Sequence, residues 1–192
     1  MRRVVVAICA VILSAACSEP PQKEIDRAQG AIEAARAAGA EQYAPEPFTA
    51  ATTAMQQTHE AVQQRDYRLA LSRVTDANER ALEAARQAAN NKALARVEAE
   101  TAVKHLATTI RQLDERLKVA EANRIPAREI ESAKRVRATA DRTLQEARAA
   151  LTAGNYLAAI AAAKGVPETI TTEIRMLSDA DGRSGRGGRR RR

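Results

Sequence analysis

The chain has no tryptophan, one phenylalanine and three tyrosines in 192 residues. That excludes an aromatic-rich β-sandwich and leaves no stacking platform for nucleotides or single-stranded nucleic acid. Large aliphatic side chains are scarce too: leucine, isoleucine and valine, with Phe48, fill 34 positions, or 18%. A chain so poor in them cannot fill a thick globular core, and without its alanine it would sit near the disordered class. Glycine and proline number only eight and six, and neither occurs between Pro47 and Pro126. The two histidines, His59 and His105, stand 46 positions apart, and neither an HExxH nor a CxxC motif is present. A zinc site needs three or four ligands at close spacing, so no metal, no cofactor and no catalytic residue is expected, and the protein is not expected to be an enzyme.

What the chain has instead is alanine, at 44 positions. Alanine is the best helix former, so the composition predicts slender helices packed at close range. Carboxylates are plentiful and stand one turn before bases: Asp76 and Arg80, Glu100 and Lys104, Asp114 and Lys118, Glu131 and Arg135. Such acid-first pairs stabilise an exposed helix by about 0.2–0.5 kcal/mol each, and they read as a solvated face. The net charge of +7 is terminal. Setting aside Arg2 and Arg3 and the six arginines after residue 182 leaves −1 for the body.

Met1-Arg2-Arg3, the apolar run Val4 to Leu13 and the small residues Ser14-Ala15-Ala16 have the order of a secretory signal. Ten apolar residues are too few to span a bilayer, for which about 20 are needed. The reading is a signal peptide over 1–16, then Cys17 and a short spacer with Pro20 and Pro21 over 17–22. Leu13-Ser14-Ala15-Ala16-Cys17 resembles the lipobox of bacterial lipoproteins, with its leucine one place earlier than usual. The resemblance implies lipidation of Cys17, anchoring to the membrane through acyl chains, and, with Ser18 next in line, the periplasmic face of the outer membrane. The residues also allow ordinary cleavage after Ala16 or Cys17. Cys9 leaves with the signal, so the mature chain has no partner for a disulfide.

From Ile25 the apolar positions Ile25, Ala28, Ile32 and Ala35 form one helical stripe, ended by Gly39. Tyr43-Ala44-Pro45 is a turn, since a proline disfavours helix in the residue before it. The next helix begins near Pro45 or Pro47, with Phe48, Ala51, Met55 and Val62 inward. Arg65-Asp66-Tyr67 interrupts it, and Asp66 suits the N-cap of a third helix. The window up to Pro126 admits one helix of up to about 57 residues, roughly 85 Å long. Its second half carries Val103, Leu106, Ile110, Leu113, Leu117 and Ala120, spaced like a coiled-coil seam. Its first half offers Tyr67, Leu71, Val74, Ala81, Ala85 and Ala88, and Asn90-Asn91 is the place for a kink. Ile130, Ala133, Ala140, Leu144, Ala147 and Leu151 mark a further helix up to Gly154-Asn155. A last one starts at Tyr156 with Leu157 and Ile160, and Gly165-Val166-Pro167 breaks it before Ile170, Ile174 and Leu177. The expected core is Phe48, Met55, Tyr67, Leu71, Leu106, Ile110, Leu113, Ile130, Leu144 and Ile160.

Pro45 to Tyr67 and Pro126 to Tyr156 both run proline, amphipathic helix, polar turn, tyrosine, Ala-rich helix. The fold class that results is all-α: elongated antiparallel helical hairpins, a coiled-coil-like bundle sharing one long central helix. The first hairpin unit spans 23–122, the second 123–178, and a disordered tail 179–192. Ala35 to Pro45 with its Gly39-Ala40 and Tyr43-Ala44-Pro45, then Arg65-Asp66-Tyr67 with Ala70 and Ala77, resembles the bacterial family known as domain of unknown function 4398. The resemblance covers residues 25 to 89 well and 125 to 164 loosely. It implies an Ala-rich helical envelope lipoprotein and brings no catalytic residues.

Arg183, Arg186, Arg189, Arg190, Arg191 and Arg192 make the tail basic. Arg-Gly repeats in RNA binders usually interleave aromatics, and an exported chain meets no cytoplasmic RNA, so no nucleic acid is expected. The alternatives are an anionic envelope surface or a solubilising extension. The function that emerges is a non-enzymatic helical spacer or interaction scaffold of the bacterial envelope, its protein partner unidentified. The alternative is a periplasmic binding module for a glycan, a lipid or an unfolded polypeptide.

Overall fold

The computed structural model describes residues 19 to 189, with side chains as far as Arg183. Every element among them is a helix: α1 (Gln22–Ala37), α2 (Ala40–Tyr43), α3 (Pro45–Gln63), α4 (Tyr67–Ala122), α5 (Ala127–Thr152), α6 (Tyr156–Ala163) and α7 (Val166–Arg189). The all-α class read from the alanine content is the observed one. Two compact units divide the chain between Lys92 and Ala93. The expected boundary after residue 122 is therefore corrected to a place inside α4, because the second half of that helix shares its buried seam with the helices after it.

In the first unit, the buried face of α1 is the stripe Ile25, Ala28, Ile32 and Ala35. The helix ends where Gly39 takes a φ of +87°. A Cβ at that position would meet the Tyr43 ring at 3.2 Å, in a backbone region that L side chains rarely adopt. One helical turn, α2, comes next and buries Ala40 and Tyr43. Pro45 then opens α3, where its missing N–H would have had no helical acceptor anyway. The buried residues of α3 are Phe48, Ala51, Ala54, Met55, Thr58 and Ala61. Val62, expected inward, is only half-buried, because Ala61 takes the next place on the stripe after Thr58. The buried Thr58 hydroxyl donates to the Ala54 carbonyl at 2.9 Å, which satisfies it inside the core.

The first half of α4 departs from expectation. Its buried seam is Ala70, Val74, Ala77, Ala81, Ala84 and Ala88, while Leu71 is 46% exposed. Tyr67 and Ala85 are half-buried. Alanine inside and leucine outside inverts the usual preference. Methyl-sized side chains favour helix axes at the short end of the roughly 8–10 Å range, where a leucine fits poorly.

The two proline-to-tyrosine segments close with one hydrogen-bond pattern. After α3, Asp66 N–H reaches back to the Ala61 carbonyl and Arg65 N–H to Val62; after α5, Asn155 N–H reaches Ala150 and Gly154 N–H reaches Leu151. This is the Schellman closure, with the residue in the left-handed region at its centre: Arg65 at φ 59° and Gly154 at φ 78°. Asp66 also caps α4, its Oδ1 accepting from Leu69 N–H at 2.9 Å. Tyr67 and Tyr156 then start the next helices, and Ala70 and Ala159, each three residues on, are fully buried. The turn after α4 closes the same way around Arg124.

The second unit joins the rest of α4 to α5, α6 and α7. Val103, Leu106, Ile110, Leu113, Leu117 and Ala120 are all buried, as their spacing predicts, with Ala133, Ala140, Leu144 and Ala147 of α5, Ala163 of α6, and Ile170, Leu177 and Ala180 of α7. Ile130 and Ile160 are only half-buried; beside them Ala133, Ala159 and Ala163 take the inward places. Gly165, at φ 77°, breaks α6 from α7. Helix α7 runs on to Arg189, so residues 179 to 189 of the segment 179–192, expected to be disordered, are helical. Its buried stripe continues through Leu177 and Ala180, and Asp181 is tied to α4 by Arg116.

Candidate functional site

Of the residues singled out in the sequence, Cys17 and Arg190 to Arg192 lie outside the described residues, as do the side chains of Arg186 and Arg189. Arg183 is described: its guanidinium is exposed and stands 3.6 Å from Glu129. Among the described residues no helix is long and apolar enough to cross a membrane. His59 and His105 are both exposed, and no group of three or more His, Cys, Asp or Glu among the described residues could hold a metal.

The ion pairs differ from those that spacing alone suggests. Asp76 does pair with Arg80, at 2.8 Å. Glu100 instead takes Arg96 at 2.9 Å, and Asp114 takes Arg137 of α5 at 2.6 Å. Glu131 lies 3.9 Å from Lys134, which leaves Arg135 without a carboxylate among the described residues. A sequence shows neighbours along one helix, whereas Asp114 and Arg137 meet across two. Arg137 also reaches Asp141 at 2.6 Å, and Asp114, by its hydrogen bond, holds the guanidinium above its ordinary range. Near the end of α7, Asp181 accepts from Arg116 at 3.0 Å and from the Asn123 amide at 2.9 Å.

Three surfaces stand out. The first is an edge of α4 beside the alanine seam: Leu71, Asn78, Leu82, Ala85 and Ala89, at coiled-coil spacing. Asn78 is half-buried, and the remaining members are aliphatic. Leu71 and Leu82 are 46% and 45% exposed. Of the eight exposed large hydrophobic residues among those described, six are on α4. The second is an open groove of about 640 Å³ between α3 and α4, lined in part by Glu46, Thr49, Thr53, Arg73, Asp76 and Arg80. Its charges balance, two acids against two bases, and Asp76 and Arg80 satisfy one another. The third is a cleft of about 270 Å³ between α5 and α7, lined by Arg135, Val136, Thr139, Ala140, Val166 and Thr169.

Nothing in the composition points to these surfaces, because each depends on which alanine faces inward. The spacing of leucine and alanine along α4 is plain in the sequence, but it gives Leu71 to the core and the structure gives it to the surface. No protein-family model matches the chain, and no curated protein or solved structure does either. The likeness to Ala-rich envelope lipoproteins therefore rests on its residues alone.

Proposed function

We propose that this chain is a membrane-anchored periplasmic lipoprotein, tethered to the outer membrane through acyl chains on Cys17, that serves the bacterial envelope as a non-enzymatic helical spacer or interaction scaffold. The observation that carries the scaffold role is the inversion along α4, where alanines fill most of the buried seam and Leu71 and Leu82 face solvent. Exposed leucines at coiled-coil spacing form a face on which a partner helix packs, and Asn78 between them is the kind of polar residue that fixes the register of such a pairing. The tail arginines, Arg183, Arg186 and Arg189 to Arg192, add contact with anionic headgroups. The second reading, a binding module for an envelope ligand, is favoured by the cleft between α5 and α7.

A photocrosslinking residue placed at Leu71 or Leu82 in intact cells should give a discrete adduct, and one placed at the exposed Glu60 of α3 should not. The absence of adducts from both leucine positions would remove the scaffold reading. Cys17→Ala should release the protein from the membrane fraction once high salt removes the contact made by the tail; retention there through a high-salt wash would refute the anchor. Deleting residues 183 to 192 should weaken salt-sensitive binding to anionic vesicles, and unchanged binding would leave the tail no such role.

A further inference from the structure

The cleft between α5 and α7 exists for a local reason. At Gly165 the backbone turns through φ 77°, so α7 starts on a new course opposite Val136 and Ala140. Ala140 is buried and brings only a methyl group, while Val136 and Val166 sit half-buried at the rim of the core. The lining is aliphatic apart from two threonines and Arg135. The Thr169 hydroxyl already donates to the Gly165 carbonyl at 3.0 Å. The Thr139 hydroxyl accepts from the Arg142 guanidinium at 3.5 Å, which places a second guanidinium against the lining. Neither Arg135 nor Arg142 has a carboxylate partner among the described residues, since Glu131 turns to Lys134 and Asp141 to Arg137. Glu173, four residues after Thr169, is buried and is not among the residues that line the cleft.

We infer that this cleft takes the acyl chain of a single-chain anionic amphiphile, with Arg135 and Arg142 holding the head. A volume of about 270 Å³ lies just under the roughly 300–1,000 Å³ of drug-sized pockets, which suits one alkyl chain and is too small for a folded segment. No aromatic ring lines it to stack on a sugar, which argues against a glycan. Unpaired guanidiniums at the edge of an apolar floor select an anion, and their planar fork matches a carboxylate or phosphate with two hydrogen bonds. This site shares no residue with the α4 edge and is independent of the acylation of Cys17.

The test uses the whole chain carrying Cys17→Ser and a series of alkanoates from hexanoate to dodecanoate, each below its micelle concentration. Binding is followed through the methyl resonances of Val136 and Val166. Affinity should rise about two- to fourfold per added methylene and level off once the cleft is full. Decyltrimethylammonium, of opposite head charge, should leave both methyls unmoved. Arg135→Glu combined with Arg142→Glu should weaken decanoate binding by about tenfold or more while keeping the chain-length slope. Thr139→Leu, at an exposed position, should fill the cleft and abolish that slope with helicity unchanged. Unmoved methyls with decanoate, equal binding of the cationic amphiphile, or wild-type binding by Thr139→Leu would each overturn the inference. So would a chain that elutes as a dimer and becomes monomeric on Thr139→Leu, since a second copy would then cover the cleft. None of these results would alter crosslinking from Leu71 or the fractionation of Cys17→Ala.

Discussion

The side-chain amide of Asn91 donates to the carbonyl oxygen of Tyr43 at 2.7 Å, across 48 positions of sequence. That carbonyl ends the single turn α2, just before Pro45, and the last carbonyls of a helix have no partner within it. The pair Asn90-Asn91 reads in the sequence as the place for a kink, yet α4 passes through it unbroken and one of the two fastens a turn. Asn91→Ala should lower stability by about 1–2 kcal/mol, the cost of an unmatched acceptor. Asn90→Ala, at an exposed position, should change it by less than about 0.5 kcal/mol. Urea unfolding of both variants separates the two outcomes, and equal effects would remove the role assigned to Asn91.

The alanine seam should resist enlargement. Ala81 has no exposed surface, and its neighbour Leu82 is 45% exposed. Ala81→Leu should cost about 1–3 kcal/mol through overpacking, whereas Leu82→Ala should cost under about 1 kcal/mol. Leu82→Ala should nevertheless lose the photocrosslink introduced at Leu71. Thermal unfolding read beside crosslinking yield checks both halves.

Two left-handed positions should respond in opposite directions. At Gly39, with φ +87° and the Tyr43 ring 3.2 Å from where a Cβ would sit, alanine should destabilise by about 1–2 kcal/mol. At Arg65, with φ 59°, glycine should stabilise by about 0.5–1 kcal/mol; the matching turn already has glycine, at Gly154. A decrease in melting temperature for Arg65→Gly would contradict the strain argument.

Acid should loosen the end of α7. The Arg116 guanidinium first, and then the Asn123 amide, hold the Asp181 carboxyl below its ordinary range. A carboxyl whose folded value is depressed adds stability above its unfolded value, near pH 4, and that contribution is lost as pH falls through the folded value. Asp181→Asn should therefore flatten the decline of melting temperature below about pH 4. Identical acid limbs for variant and wild type would show that the carboxylate adds nothing.

The breaks in this fold are legible in the sequence, and the faces are less so. Gly39, Pro45, Asp66, Pro126, Gly154 and Gly165 mark local backbone demands, and each demand is met where the sequence puts it. The seam in the first half of α4 is hard to read because alanine occurs all round the helix: the stripe through Leu71 and the stripe through Ala70 have equal claims until neighbouring helices approach. The second half of α4 concentrates leucine and isoleucine on one side, and there the spacing picks the buried residues correctly. The cleft is illegible for a different reason. Spacing offers Glu131 both Arg135 and Lys134 on the same helix, and only the structure shows that it stands by Lys134.

A seam of methyl groups has no side-chain rotation to freeze, so the first half of α4 is buried without the rotamer entropy that leucine or methionine would lose. It also hides little apolar area per residue, and the heat-capacity change of unfolding scales with that area. Calorimetry of this protein should show an increment per residue below the roughly 12–15 cal/mol/K of ordinary domains, and with it a shallow stability curve that changes slowly between cold and warm conditions.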